Sequence, residues 1–282
     1  MPLPESFNLA EFIGRVLGED LGPGGDVTSN ATIAADARFT AKMNCRQAIV
    51  VAGLDIAAAF FRRLDPEVQI EQLAKDGDEA EHGMTLMRLA GNARSMLAAE
   101  RSALNTLQHL SGIATLTRRY VEAIAGTGAV LLDTRKTLPG LRVLEKYAAR
   151  MGGAQNHRMR LDDGVLIKDN HVAVCGGVGD AVRRAKAANT GLRAQVEVDR
   201  IDQIEPALAA GADRLLLDNM DPAKLREAVA LVAGRVPLEA SGGVTLETIR
   251  SIAETGVNYI SLGRITQSAP AVDVGLDYAL SR

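Results

Sequence analysis

Three basic clusters each end or follow a run of β-branched or Leu-rich residues that reads as a strand. They are Arg135-Lys136 in Asp133-Thr-Arg-Lys-Thr-Leu-Pro-Gly140, His157-Arg158 in Gly152-Gly-Ala-Gln-Asn-His-Arg158, and Lys168 in Leu166-Ile-Lys-Asp-Asn-His171. Any one alone reads more often as a solvated loop charge than as a site. Brought to one rim, such Arg and Lys side chains bind carboxylates and phosphates through charge-assisted hydrogen bonds. Lys168 follows Val165-Leu-Ile inside a strand pattern expected to be buried, where a lone ammonium is costly without an anionic partner. Glu197 and Asp218 end successive strand runs and are expected side by side. They either pair with Lys168 or Arg158 as a structural network, or bind ribose hydroxyls, or hold Mg²⁺ through water and substrate oxygens, which takes only one or two protein carboxylates. Two glycine-bearing loops come last, Ser241-Gly242-Gly243 and Ser261-Leu-Gly263-Arg264. The final loops of a barrel often cradle a phosphate with backbone N–H groups, and glycine permits the close approach. An anion pocket, an acid pair and a phosphate cradle together suit phosphoribosyl transfer from a pyrophosphate donor to an anionic acceptor.

The elements that must position these residues fall into two textures. Up to about residue 92 the chain is mixed, with a short helix over Glu11–Leu17, strands over Phe39–Cys45 and Ala48–Val51, and a helix over Leu54–Leu64, all punctuated by glycine. This predicts a small α+β domain. A long helix is expected over Ala93–Ala125, with Leu97, Leu104, Leu107 and Leu110 as its apolar stripe and Arg101 on the same face. Arg101 there is either a snorkelling side chain paired with an acid or a cation projected towards a neighbouring site, in this subunit or another. From Ala129 strand runs alternate with Ala-rich helical segments: Ala129–Asp133, Val165–Asn170, Ala194–Asp199, Arg214–Asn219, Pro237–Gly242 and Tyr259–Gly263. Helices are expected at Ile201–Ala210, Pro222–Ala233 and Thr245–Thr255, with Gly211, Gly234 and Gly256 at left-handed C-caps. Repeated β-α units imply parallel strands. An α/β barrel and an open doubly wound sheet both fit. Nearly every run finishes in a polar or charged residue, which favours the barrel, where such ends converge on one mouth. Six units are clear, so the barrel is expected to be irregular and incomplete.

Composition narrows the partners. Aromatics are 3% of the 282 residues and Trp is absent, against a stacking surface for single-stranded nucleic acid. The net charge of −3 offers no basic field for nucleic acid or an anionic membrane. Cys45 and Cys175 make neither a CxxC pair nor a disulfide framework, so a reducing cytoplasm is expected. The N-terminal stretch carries acids where a signal peptide needs a basic start. No apolar run is as long as a membrane span. There is no GxGxxG or GxxxxGK[ST] fingerprint, no readable Ser-His-Asp set and no zinc spacing; His109 lies in the helical stripe with no partner near it in sequence.

Several of these segments, taken with others, resemble the quinolinate phosphoribosyltransferase family. They are Glu19-Asp-Leu-Gly22 with Gly25-Asp-Val-Thr-Ser29, Glu100-Arg101 through Asn105, Ser111-Gly-Ile-Ala-Thr115, Asp133–Gly140, Glu145-Lys-Tyr147, Asn156-His-Arg158, Ile167–His171, Val196-Glu-Val198, Leu217-Asp-Asn219 and Ser241-Gly-Gly243. The likeness runs in order over nearly the whole chain. It implies an N-terminal α/β sandwich domain over 1–112 and an α/β barrel over 113–269, of the type II phosphoribosyltransferase kind, with the 270–282 tail able to return to the first domain. It implies a homodimer, or a dimer-based hexamer, in which the N-terminal domain of one subunit closes the barrel mouth of another and Arg101 reaches the partner's site. The implied activity is transfer of phosphoribosyl from phosphoribosyl pyrophosphate to quinolinate, with loss of CO₂, to give nicotinate mononucleotide in NAD biosynthesis. Arg101, Arg135, His157, Arg158 and Lys168 would surround the quinolinate carboxylates, and Lys136 would lie by the pyrophosphate or the reacting centre. Glu197 and Asp218 would hold Mg²⁺ and ribose hydroxyls. Ser241, Gly242, Gly243 and Gly263 would bind the 5′-phosphate. One departure is Arg264-Ile-Thr-Gln267, where many bacterial members read Ala-Leu-Thr-His. Rival readings are the related protein of molybdenum-transport operons, nicotinate phosphoribosyltransferase, and a non-catalytic phosphosugar-binding barrel.

Overall fold

The computed structural model describes Leu3 and Phe7–Ala279. The chain divides into two compact units, one of residues 1–116, 143–153 and 269–282, the other of 117–142 and 154–268.

The first unit contains α1 (Leu9–Leu21), α2 (Val27–Thr32), β1 (Arg38–Cys45), β2 (Ile49–Val50), α3 (Leu54–Leu64), β3 (Gln69–Gln72), β4 (Glu79–Ala80), β5 (Thr85–Asn92) and most of α4 (Ala93–Ala123). Of α5 (Arg142–Met151), residues from 143 belong here. The strand β12 (Val274–Ala279) pairs antiparallel with β1, completing a four-stranded sheet ordered β12-β1-β5-β3. In β1, Phe39, Ala41, Met43 and Cys45 are buried and the intervening residues are not, the period of two that a one-sided sheet requires. On α3, Ile56, Ala57, Phe60 and Phe61 are buried, and Phe60 meets Phe12 of α1 edge-on at 6.2 Å.

The stripe on α4 largely follows the leucine spacing: Leu104, Leu107 and Leu110 are buried, while Leu97 is half-buried. Met96, Ala99 and Ala103 are buried with them, and Arg101, placed by its spacing on the same face, is exposed. His109 does have a partner, 36 positions away. Its Nε2 lies 2.9 Å from Oε1 of the fully buried Glu145.

The second unit holds six strands, all parallel: β6 (Val130–Leu132), β7 (Val165–Ile167), β8 (Ala194–Val198), β9 (Arg214–Asp218), β10 (Leu238–Ser241) and β11 (Tyr259–Ser261). Their spatial order is β6-β11-β10-β9-β8-β7. First and last strands are therefore neighbours, as a barrel demands. No pairing among the described residues joins β6 to β7; a single parallel bridge, Leu132 to Gln155, occupies that side of β6. This is the irregular, incomplete α/β barrel expected. The connecting helices include α6 (Asp169–Cys175), α7 (Val178–Ala187), α8 (Ile204–Ala209), α9 (Pro222–Val232), α10 (Ile249–Ala253) and α11 (Arg264–Gln267). Strand β7 is shorter than expected, because Lys168 already caps α6 and Asp169–Asn170 are helical. Gly211, Gly234 and Gly256 all take positive φ after their helices.

The N-terminus of α3 receives its cap from far along the chain. Gly53 has no capping side chain, but the Asp76 carboxylate accepts from the Gly53 and Leu54 N–H groups at 2.8 and 2.9 Å, and from the Tyr147 hydroxyl at 2.5 Å. That hydrogen bond, after burial, helps to push the Tyr147 phenol well above its ordinary range. Replacing Asp76 by Ala is expected to lower unfolding free energy by about 1–2 kcal/mol, the worth of a helix cap, read as a shift in the midpoint of urea denaturation.

Candidate active site

Parallel register puts the inward-facing side chains of the barrel in layers. Glu197 of β8 stands opposite Leu216 of β9, which stands opposite Glu239 of β10, itself opposite Tyr259 of β11. One layer nearer the C-terminal ends lie Asp218, Ser241 and Ser261. Residues two apart on a strand share a face, so Gln195 and Arg214, paired across β8 and β9, lie one layer below. The strand ends and the loops after them enclose a cavity of about 400 Å³, lined by Thr134, Arg135, Lys136, His157, Arg158, Lys168, Glu197, Asp218, Asn219, Glu239, Ser241, Gly242, Gly243 and Ser261, with Leu166 and Leu216 as its apolar floor.

Of the residues singled out in the sequence, Arg135, Lys136, His157, Arg158, Lys168, Glu197, Asp218, Ser241, Gly242 and Gly243 thus meet in one cavity. Gly263 does not line it. It lies beneath Lys136, where a Cβ would come within 2.6 Å of Lys136 Cδ, so its lack of a side chain makes room for the lysine stem. Arg101 belongs to the first unit.

Each loop is held from behind. The fully buried Asp133 accepts from the Asn156 amide (2.5 Å) and the His157 backbone N–H (2.8 Å). Arg142 donates to the Thr137 hydroxyl and the Met159 carbonyl, tying together the loops that carry Arg135 and Arg158. The Thr266 hydroxyl donates to the Lys136 carbonyl at 2.7 Å. Arg158 donates from Nη1 to the Gly164 carbonyl at 2.8 Å. Lys168 is exposed, not buried as its strand-like context suggested. The chain turns into α6 at that residue, and the His171 imidazole accepts its backbone N–H at 2.9 Å. Gly242 has φ +92°, and a Cβ there would lie 2.2 Å from Asn219 Oδ1. Asn219 itself is left-handed, with its N–H bonded to the Ser241 carbonyl and its amide donating to Asp218 Oδ2 at 2.6 Å.

The charges are arranged for an anion and a cation together. Burial lowers the proton affinity of the Arg158 guanidinium, and the charge of the neighbouring Arg135 adds to this; a guanidinium so shifted still stays charged near neutral pH. Glu197 is raised above the ordinary carboxylate range, first by burial and then by the charge of Asp218, with Lys168 opposing. Asp218 is raised by burial too, against its hydrogen bond from Asn219 and the charge of Lys136, and Asp169 and Asp199 push both acids upward. A divalent cation would relieve this crowding. No group of three or more His, Cys, Asp or Glu among the described residues is placed to hold a metal by itself. The pair therefore fits an ion that shares its coordination with substrate oxygens and water, as Mg²⁺ does.

Five inward residues were not singled out as site residues: Gln195, Arg214, Glu239, Tyr259 and Ser261. Counting back by two from Glu197 and Ser241 finds Gln195 and Glu239, and counting back by four from Asp218 finds Arg214. Tyr259 follows only from the register with β10, and Ser261 belongs to the glycine-bearing loop marked in the sequence.

Fold and site together define a barrel protein of the phosphate- and carboxylate-binding kind, with charged side chains at the C-terminal ends of parallel strands. The sequence matches the family described as quinolinate phosphoribosyl transferase, N-terminal domain, over residues 26–111 and C-terminal domain over residues 113–277. The chain belongs to the quinolinate phosphoribosyl transferase family. It is 43% identical over 272 residues to a nicotinate-nucleotide pyrophosphorylase [carboxylating] of Mycobacterium leprae, covering 95% of this chain and 96% of that one. It is 41% identical over 274 residues to a probable nicotinate-nucleotide pyrophosphorylase [carboxylating] of Bacillus subtilis, covering 97% and 94%. The solved nicotinate-nucleotide pyrophosphorylase of Francisella tularensis superposes with a TM-score of 0.92 at 39% identity, covering 96% of each chain.

Both Glu197 and Asp218 bind a proton more tightly folded than unfolded, so their charges cost stability above the folded-state pKa values, and that cost is relieved as pH falls through them towards the ordinary carboxylate range. Asp218→Asn should therefore raise the melting temperature of the ligand-free protein near neutral pH. The gain should shrink as the solution is acidified through the carboxylate range. A gain that stays constant with pH would contradict the assignment.

Proposed function

We propose that this chain transfers a phosphoribosyl group from phosphoribosyl pyrophosphate to quinolinate with loss of CO₂, yielding nicotinate mononucleotide and pyrophosphate. The observation that carries this is the single cavity in which Arg135, Lys136, Arg158 and Lys168 face Glu197 and Asp218, in a chain whose relatives bear that enzyme's name along their full length.

In this reading the cations receive a dicarboxylate. Arg135 and Arg158, tethered through Arg142 and Gly164, pre-pay the ordering that binding would otherwise require. Ser241, Gly242 and Gly243 offer the 5′-phosphate a hydroxyl and close backbone approach, made possible by the positive φ of both glycines. Gly263 serves indirectly by admitting the stem of Lys136. Glu197 and Asp218 hold ribose hydroxyls and Mg²⁺, which when bound would neutralise the pyrophosphate leaving group. As the pyridine nitrogen attacks C1, positive charge spreads over the ribose ring, and the two carboxylates stabilise it from fixed positions. Lys136 stands where it can stabilise the departing pyrophosphate. The positive ring nitrogen so formed then accepts the electron pair released when the adjacent carboxylate leaves as CO₂.

The exposed side of α4 that carries Arg101 and Asn105 supports presentation of Arg101 to a second copy in a homodimer, or in a hexamer of dimers. Among the described residues no helix is long and apolar enough to cross a membrane. The free thiols of Cys45 and Cys175 support a cytoplasmic location.

Incubation with quinolinate, phosphoribosyl pyrophosphate and Mg²⁺ should release CO₂ and mononucleotide in equal amounts, and nicotinate in parallel should give no CO₂ and little product. Donor binding without turnover would instead support a sensing role. Lys136→Ala should lower kcat by about 10²–10³-fold, the loss typical of one transition-state charge contact; unchanged kcat would remove Lys136 from the chemistry. Arg101→Ala and Lys168→Ala subunits, each inactive alone, should regain about a quarter of wild-type activity when mixed and reassembled, because half of the randomly formed dimers then hold one intact site. No recovery would place Arg101 outside the partner's site.

A further inference from the structure

Glu239 and His157, which line the cavity, belong to a chain of polar groups that continues below it through Gln195 and Arg214. The Glu239 carboxylate has no exposure to solvent. Its Oε2 accepts from the Gln195 amide at 2.8 Å, lies 2.8 Å from Arg214 Nη2 and stands 3.5 Å from His157 Nε2. Arg214 lies over the Tyr259 ring, 3.8 Å from its centroid. A buried carboxylate of this kind is tolerated only when several groups hold its charge. Burial opposes ionisation of Glu239, yet His157 and Arg214 outweigh it and hold the carboxyl below its ordinary range.

The ring of His157 is engaged on both sides. Its Nδ1 accepts the backbone N–H of Arg158 at 2.8 Å. A nitrogen that accepts carries no proton, so the proton of the neutral ring sits on Nε2 and faces Glu239. That tautomer leaves the imidazole no N–H directed at a substrate carboxylate. It instead fixes the backbone at Arg158, whose guanidinium is held at its other end by the Gly164 carbonyl.

We propose that Glu239 is a positioning residue for the acceptor: by holding His157 as its Nε2–H tautomer it sets Arg158, and the Arg158 guanidinium rather than the His157 ring meets the acceptor's carboxylate. This rests on the quinolinate reading above for the identity of the acceptor, but not for the state of the ring. The chain of contact runs Glu239, His157, Arg158, and Gln195 and Arg214 keep its first member in place. A Glu at this layer is unexpected on packing grounds, since inward barrel positions are ordinarily filled by Val, Ile and Leu.

The test has two arms. In ligand-free protein, ¹⁵N shifts of the imidazole that disappears in His157→Gln should show the neutral Nε2–H tautomer in the wild type and a loss of that preference in Glu239→Gln. In Glu239→Gln the quinolinate KM should rise about tenfold, near the lower worth of a charge-assisted hydrogen bond, while kcat and the KM for phosphoribosyl pyrophosphate move by less than about twofold. A merely structural role would instead move both KM values together or leave the ring state unchanged. If Glu239→Gln alone fails to fold, the double variant Glu239→Gln/Arg214→Gln, which leaves no unpaired guanidinium, supplies the same KM comparison. An Nδ1–H or doubly protonated ring in the wild type, or an unchanged quinolinate KM in the variant, overturns the proposal. Failure of the wild type to turn over quinolinate would remove the acceptor's identity, while the ring measurement, made without substrate, still decides whether Glu239 sets His157.

Discussion

The pairing of β11 with β6 is the constraint on which the rest of the barrel depends. It brings the last strand back beside the first and so bends a succession of β-α units around a common interior. The loop after β6 then lies over the start of α11. Thr266 holds the Lys136 carbonyl and Gly263 clears space for the lysine stem. On the other side of β6 the bridge from Leu132 to Gln155 fixes the segment that carries His157 and Arg158. The incomplete closure is thus not a defect in the site. The place where a sixth pairing would stand is occupied by the chain that delivers His157 and Arg158.

A second consequence of the parallel register is a charged interior. The inward positions hold Gln195, Arg214, Glu239 and Tyr259 in addition to the rim acids. Each such group would destabilise the barrel if left alone. Here Glu239 is reached by Gln195, Arg214 and His157, and Arg214 also lies on an aromatic face. Rigidity of the rim follows from this network together with the buried Asp133, because both the floor and the wall behind His157 are pinned by carboxyl groups that solvent does not reach. The first unit uses the same device more sparingly: Asp76 supplies to α3 the cap that its own sequence lacks, and Glu145 supports His109.

The acid pair shows why a site can be costly before it is useful. Glu197 and Asp218 stand where burial raises both, with the charge of Asp218 raising Glu197 further and Asp169 and Asp199 pushing on each. Relief comes from cationic neighbours and from whatever positive charge the substrates bring, so the strain is matched to the bound state. Placing unfavourable charge on the rigid ends of strands, rather than on mobile loops, keeps it from relaxing away.

The amino-acid sequence by itself determined the order of elements and most of the rim. Strand runs ending in Asp, Glu, Lys and Ser are local features, and α3 appears at the residues its pattern marks, Leu54–Leu64. Ten of the expected site residues, from Arg135 to Gly243, share one cavity, because alternation along a strand and convergence of strand ends are properties of the chain's own period. The tertiary structure alone decided what depends on contacts between distant segments. The buried face of α4 takes in Ala99 and Ala103 beside the marked leucines, and Arg101, which spacing put on that face, is exposed, because burial along a helix is decided by its neighbours. Lys168 is exposed because a helix begins where its β-branched context suggested more strand. Gly263 makes room for a lysine, and Glu239, Gln195 and Arg214 form one buried network, because register across separate strands is a three-dimensional relation. No spacing within a single segment encodes it.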